Sequence, residues 1–370
     1  MIAASLESFP ATGDDAQPDA EIVANANVNG GLLRFSWDDL PAASANFAGT
    51  GGTLRANMDD FIVEEIASYL PSGSGAHAYA RIEKRGLTTM DVLSALAANG
   101  VPRGTAGFAG QKDKYAVARQ WISVPSEHAA VFAILDDVDG LTVLETSLHR
   151  NKLGVGHLRG NRFTVRVRNP CDDWRDIAEP TLEHLRQVGV PNYFGPQRFG
   201  TFNTNIADGL RLIKGERIRV DRRMRRFYQS ALQSHLFNLL LKRRIESGLF
   251  DAVVLGDRAQ RHDSGGMFVV DDPTIESERA KRLEISAALP LFGRKVRISE
   301  GAAGEMELQL LAQFALEYDQ FRRVPGARRI SRIRLDDATL SPADDGYIVE
   351  FTLPKGAYAT SVMREVMKSA

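Results

Sequence analysis

Cysteine is almost absent: Cys171 is the single one in 370 residues, which excludes an intramolecular disulfide and a multi-cysteine zinc site and suits a reducing cytoplasm. Long apolar runs are missing too. None approaches the ~18 residues a membrane helix needs, and the N-terminal residues lack the basic-then-apolar layout of a secretory signal, so no membrane association is expected. The seven histidines (His77, His128, His149, His157, His184, His235, His262) fall at no HExxH or other ligand spacing, so no metal is expected. No serine sits in GxSxG and no GxGxxG follows a strand pattern. Gly104, Gly107 and Gly110 precede Lys112, but Asp113 stands where a phosphate-binding loop requires Ser or Thr. No nucleotide cofactor is expected either.

What is present is ordinary globular composition, 44% hydrophobic and 25% charged, on a chain long enough for two cores. The net charge of −1 hides an asymmetry, because residues 1–50 carry seven acids against Arg34 alone, a net of −6, and leave +5 for residues 51–370. Within that basic body, residues 211–244 hold eleven Lys and Arg against Glu216 and Asp221, and residues 322–334 add six arginines with no acid between them. Two separated clusters of this kind favour a polyanion, most simply nucleic acid, over two solvated helix faces.

The first thirty or so residues show no apolar period and are expected to form a mobile tail. Phe61, Val63 and Glu65 alternate with Ile62 and Glu64 as in a strand. A helix is predicted from Thr88 or Thr89, as cap, to Gly100. Strands are predicted at 116–124 and at 162–168, the latter with Phe163, Val165 and Val167 on one face and Arg162, Thr164, Arg166 and Arg168 on an open basic face. From about Gly189 the pattern becomes helical, through 230–248 and 305–323, before alternation returns at 346–353. That order describes an α+β domain interrupted by a mostly helical insertion. No internal repeat is evident.

Three segments are equipped for chemistry. Residues 107–115 form a glycine-bounded turn that delivers Asp113 between Lys112 and Lys114. An aspartate there is ordinarily a solvated turn residue, and a functional one in a dry pocket needs a nearby cation to stay ionised. Residues 149–163 combine basic side chains with Asn161 and Phe163, and an amide and an aromatic are what an unpaired base requires. Both residues also have a structural explanation, as turn and core. Residues 191–200 cluster aromatics around Arg198, either as an interdomain turn or as part of a site.

The segments AGQKDKYAV (109–117), HRNKLGVGHLRGNRFTV (149–165), VPNYFGPQRFG (190–200) and LPKGAYATSVMRE (353–365), with DDFIVEE (59–65), closely resemble the TruD family of tRNA pseudouridine synthases in order and separation. The resemblance runs from about Leu54 to the C-terminus. It implies an α+β pseudouridine synthase catalytic domain with a mixed or antiparallel sheet, residues 50–188 and 333–370, interrupted by an inserted, mostly helical TRUD domain at 189–332. Residues 1–49 would be a mobile acidic extension.

It also implies isomerisation of a uridine, at position 13 of tRNA, without a cofactor or metal. The partner is tRNA, with no membrane and no obligate protein partner. Asp113 matches the catalytic aspartate, acting as nucleophile or acid/base at the ribose or the uracil ring, and Arg55 matches the basic residue that pairs with it. Asn161 matches the amide near the target nucleotide, while Phe61, Phe163 and Tyr358 match aromatics of the uridine pocket. Tyr358 departs from the phenylalanine of the relatives and adds a hydroxyl that needs a partner if buried. The two arginine clusters, at 217–226 and 322–334, are expected to contact phosphates. Two rival functions use some of the same residues: a non-catalytic RNA-binding or chaperone protein, and a nucleosidase that releases free uracil.

Overall fold

A computed structural model describes residues 32–200 and 204–369. The first part of the chain runs β1 (Thr53–Leu54), β2 (Phe61–Ala67), β3 (His77–Lys84), α1 (Thr89–Ala98), β4 (Gly107–Phe108), β5 (Val117–Pro125), α2 (Val131–Leu135), β6 (Leu141–His149), β7 (Leu158–Arg168), α3 (Trp174–Val188) and β8 (Val190–Pro191). The middle comprises α4 (Thr204–Ile213), α5 (Arg222–Glu246), β9 (Arg258–Arg261), β10 (Met267–Val269), α6 (Pro273–Lys281), β11 (Ile285–Leu291), α7 (Gly301–Gln313) and β12 (Ala327–Ile330). The chain then returns through β13 (Arg332–Ile333), β14 (Thr339–Ala343), β15 (Gly346–Pro354) and α8 (Ala359–Met367).

Nine strands form one sheet, ordered β14-β15-β7-β2-β5-β3-β6, with β1 added to β7 and β4 to β5. The β2–β5 pair is parallel and the others are antiparallel, so the sheet is mixed. Strict alternation along β2 and β7 puts Phe61, Val63, Phe163, Val165 and Val167 on one face. Two helix pairs cover that face: α3 and α8 bury Leu182, Leu185, Val362 and Val366 against β7 and β15, and α1 and α2 bury Val92, Leu96 and Phe132 against β3 and β5. The stretch between the helix pairs is polar, and it contains Glu65, Gln120 and Asn161. On the opposite face the predicted basic row of β7 is neutralised: Arg166 and Arg168 bond Asp345, and Arg168 also binds Asp60 at 2.7 Å.

The middle segment leaves and re-enters through one antiparallel neck, in which Val190 pairs with Ile333 and Pro191 with Arg332. Its core is built by α4, α5 and α7 on a four-stranded sheet ordered β10-β9-β11-β12. That sheet was not foreseen, because its strands are short and carry no clean alternation. The helix predicted over 305–323 stops at Gln313. Ala315 takes a left-handed conformation (φ 49°) and Leu316 N–H reaches back to the Leu311 carbonyl, a helix stop made without the glycine that usually signals one.

The expected mobile extension at 1–49 is corrected for residues 32–49; residues 1–31 lie outside the described residues. Phe35 stacks on Phe199 at 4.4 Å in the core of the middle segment. Ala43 and Ser44 N–H donate to the Glu365 carboxylate of α8 at 3.0 and 2.8 Å. The acids in this stretch disguised a strap that joins the two halves.

Candidate active site

Asp113 lies in the turn between β4 and β5, and its backbone is held from two sides. Lys84, fully buried at the end of β3, donates from Nζ to the Asp113 carbonyl at 2.6 Å and to the Leu87 carbonyl at 2.6 Å. Lys112 N–H donates to Thr89 Oγ1 at 2.9 Å, and that hydroxyl donates to Gln120 Oε1 at 2.9 Å. Thr88 caps α1 directly before it, accepting from Asp91 N–H, so a helix N-terminus and a central strand anchor the turn together. The Lys112 side chain is buried against Glu65 of β2, with Nζ–Oε2 at 2.7 Å. Burial, together with the neighbouring Lys112, pushes the Lys84 ammonium down to about 8 against the pull of Asp113.

The Asp113 carboxylate itself stays reachable, with 26% of the side chain exposed. Its Oδ1 accepts Tyr115 N–H at 3.2 Å and its Oδ2 accepts Arg55 Nη1 at 2.9 Å. This is the cation that the sequence argument required. Arg55 reaches it from a left-handed backbone (φ 56°) just after β1, with its guanidinium 4.2 Å from the ring centre of Phe61. Phe61 meets Phe163 edge-on at 6.0 Å, and Phe163 stacks on Phe351 at 5.5 Å. Arg55, Phe61, Asp113 and Phe163 are therefore one contiguous group.

Asn161 follows along the same face of β7, two residues from Phe163, with Glu65 on one neighbouring strand and Leu353 on the other. Its Oδ1 is buried without a hydrogen-bond partner, as is Nε2 of Gln120 one strand beyond Glu65. Buried amide atoms left without partners are suited to a ligand. Gly160 is obligatory beside it, because a Cβ there would stand 2.1 Å from the Leu353 carbonyl. Tyr358, grouped by the resemblance with the uridine-pocket aromatics, instead makes its ring contacts with Phe194 (6.1 Å) and the Arg329 guanidinium (5.9 Å), on the side of the middle segment.

The arginine clusters divide differently from expectation. Of the set at 322–334, Arg328 is buried on Glu307 at 2.9 Å, Arg322 pairs with Asp319 and Arg334 with Asp336. Arg332 is fully buried on Ser286 Oγ and three backbone carbonyls. Arg328 and Arg332 are thus internal scaffolding, whereas Arg322, Arg323 and Arg334 stay exposed; the role of Arg328 is invisible in a sequence that places its partner Glu307 21 residues away. Arg217, Arg219, Arg222, Arg225 and Arg226 are exposed. The residues missed by sequence reasoning are Lys84, Thr89 and Glu65, which position the turn. Lys84 carried one signal, a lysine on the apolar face of an alternating strand.

Among the described residues no helix is long and apolar enough to cross a membrane, and no three His, Cys, Asp or Glu side chains are placed to hold a metal. The mixed sheet with helix pairs on one face, interrupted by a second folded segment, is the α+β fold of the pseudouridine synthases. The chain belongs to the TruD family: the family described as tRNA pseudouridine synthase D (TruD) matches residues 42–218 and 213–366. It is 44% identical over 337 residues to a tRNA pseudouridine synthase D of Thermus thermophilus, covering 91% of this chain and 94% of the relative. It is 45% identical over 344 residues to tRNA pseudouridine synthase D of an Anaeromyxobacter species, covering 90% and 97%. A crystal structure of the putative tRNA pseudouridine synthase D (TruD) from Methanosarcina mazei superposes with a TM-score of 0.72 at 22% identity, covering 89% of this chain and 96% of that one.

Proposed function

We propose that Asp113 catalyses the isomerisation of uridine 13 of tRNA, with Arg55 holding its carboxylate and Phe61, Phe163, Asn161 and Tyr358 receiving the nucleotide. The chain is a tRNA pseudouridine synthase, an isomerase that converts uridine to pseudouridine in tRNA. The reaction breaks the bond from C1′ to N1 and makes one from C1′ to C5, while C5 gives up a proton and N1 gains one. Nothing is oxidised or reduced. One partly exposed carboxylate with free lone pairs, beside the rings of Phe61 and Phe163, has the chemistry to assist such an exchange.

The observation that carries this assignment is the Asp113–Arg55 pair at 2.9 Å, joined to Phe61 by the same guanidinium. Extruding a stacked base costs a few kcal/mol, and stacking on aromatic side chains offsets part of it. In this scheme residues 50–188 and 333–370 form the catalytic domain, residues 189–332 form the inserted one, and tRNA lies between them. The protein works in the cytoplasm.

The test is an unmodified tRNA transcript with uridine 13, incubated with wild type or Asp113→Asn and mapped by carbodiimide-blocked primer extension. A stop at that position with wild type alone, at equal tRNA affinity, is the expected result. Equal stops for both proteins would remove Asp113 from the chemistry. Release of free uracil would identify a nucleosidase, and binding without any stop a chaperone.

A further inference from the structure

Two arginines in the seam between the halves have no counter-charge. Arg198 is 8% exposed, in the turn after β8. Arg329, partly buried on β12, lies with its guanidinium 4.2 Å from the ring centre of Phe194, and Arg198 lies 5.7 Å from the same ring. Arg198 donates to Ser234 Oγ (3.2 Å) and Ser230 Oγ (2.6 Å), and Arg329 donates to Gly356 O (2.9 Å) and to both oxygens of Asn192. Neither meets a carboxylate among the described residues, whereas the buried Arg244 and Arg328 each have one.

Burial, with a smaller push from Arg198 and against the pull of Tyr358, lowers Arg329 to about 10. Two like charges are thus held together in a poorly hydrated place with only neutral acceptors, an arrangement that is costly unless an anion completes it. Donors also remain for that anion. Among the described residues Nη1 of Arg198 and the hydroxyl of Tyr358 make no hydrogen bond. The Tyr358 ring lies 5.9 Å from the Arg329 guanidinium and 6.1 Å from the Phe194 ring that both arginines approach, so its hydroxyl lies in the field of both charges.

We propose that Arg198, Arg329 and the Tyr358 hydroxyl form an anion site that grips one backbone phosphodiester of the RNA next to the target uridine. This rests on the assignment of the chain as a tRNA-modifying enzyme. Arg329 is bonded to Gly356, and Gly356 lies three residues beyond Leu353, the partner of Asn161 in the sheet. That is at most about 11 Å of chain, so a nucleotide with its base at Asn161 brings its own or the adjoining phosphate to the guanidiniums. Paired guanidinium forks suit phosphate oxygens. Fixing the strand there sets the depth to which the extruded base enters.

The experiment uses tRNAs in which single phosphodiesters around uridine 13 are replaced by uncharged methylphosphonates, with dissociation constants and pseudouridine formation measured on the same samples. Wild type is expected to bind about tenfold or more weakly when one flanking linkage is neutralised. Tyr358→Phe keeps the ring packing and removes one donor; it is expected to weaken binding to the unmodified tRNA several-fold and to show a smaller additional loss at that linkage. Arg198→Gln is expected to lose most of the linkage effect. A free orthophosphate ion presents the same oxygens, but a site for it would be indifferent to every linkage. Such indifference in wild-type binding overturns the proposal, as does an undiminished linkage effect in both variants. Absence of pseudouridine from tRNA that binds normally would overturn the enzymatic assignment, and the binding measurements would still decide the anion site.

Discussion

Arg55 pairs with Asp113, covers Phe61, and does both from a left-handed backbone that a side chain disfavours by about 1 kcal/mol. Strain of this kind persists where the surroundings enforce it. Arg55→Gly would relieve it while removing a partly buried ion pair and a cation–π contact of similar combined size. The melting temperature is therefore expected to stay within a few degrees of wild type, while kcat/KM falls by about a hundredfold. A melting temperature lowered by ten degrees would show that Arg55 serves stability first.

At the scale of elements, the turn that carries Asp113 is fastened to the N-terminus of α1 and to β5 by a single hydroxyl. Thr89 Oγ1 accepts from Lys112 N–H and donates to Gln120, and all three residues are buried. Thr89→Val is nearly isosteric and leaves the Lys112 N–H and the Gln120 amide unsatisfied. A loss of about 1–3 kcal/mol in urea unfolding is expected, together with a drop in kcat larger than any change in KM, because the turn that carries Asp113 loses its register. An unchanged kcat would mean that Lys84 and the Glu65–Lys112 pair hold the turn without it.

Over the whole molecule, charge and protonation separate binding from stability. Arg222, Arg225 and Arg226 are exposed at the start of α5. Replacing all three with Ala is expected to weaken tRNA binding and flatten the dependence of log K on log salt by about 0.7–0.9 per lost phosphate contact. An identical slope would place this face away from the RNA.

Stability is expected to depend on pH through two histidines of the middle segment. Burial lowers His235 to about 4, and burial with Arg332 and Arg334 lowers His262 to about 4. Both are neutral when folded, whereas the unfolded chain takes up their protons below about 6.5. Their contribution is thus complete above pH 6.5 and is lost as pH falls towards 4. Melting temperatures measured from pH 7.5 to 4.5 are expected to fall, and His262→Asn, which retains a polar side chain beside Ser286, is expected to fall less steeply.

The sequence by itself determined the secondary structure that follows a short period: the alternation of β2, β7 and β15, the capped helix α1, and the interrupted α+β order. It also determined which turn carries the aspartate, since the motifs around Asp113, Asn161 and Phe163 are local. Periodicity and capping act over a few residues, and a chain writes them directly. Only tertiary structure decided which charges are free. Arg328 looks identical to Arg329 along the chain, yet one folds onto Glu307 and the other onto Phe194 with no acid at hand. In the same way residues 32–49, without a clear period, become a strap because Glu365, more than three hundred residues away, accepts the backbone N–H groups of Ala43 and Ser44. Electrostatic pairing depends on distance in space, and that distance exists only after the two halves have folded around the neck of β8 and β13.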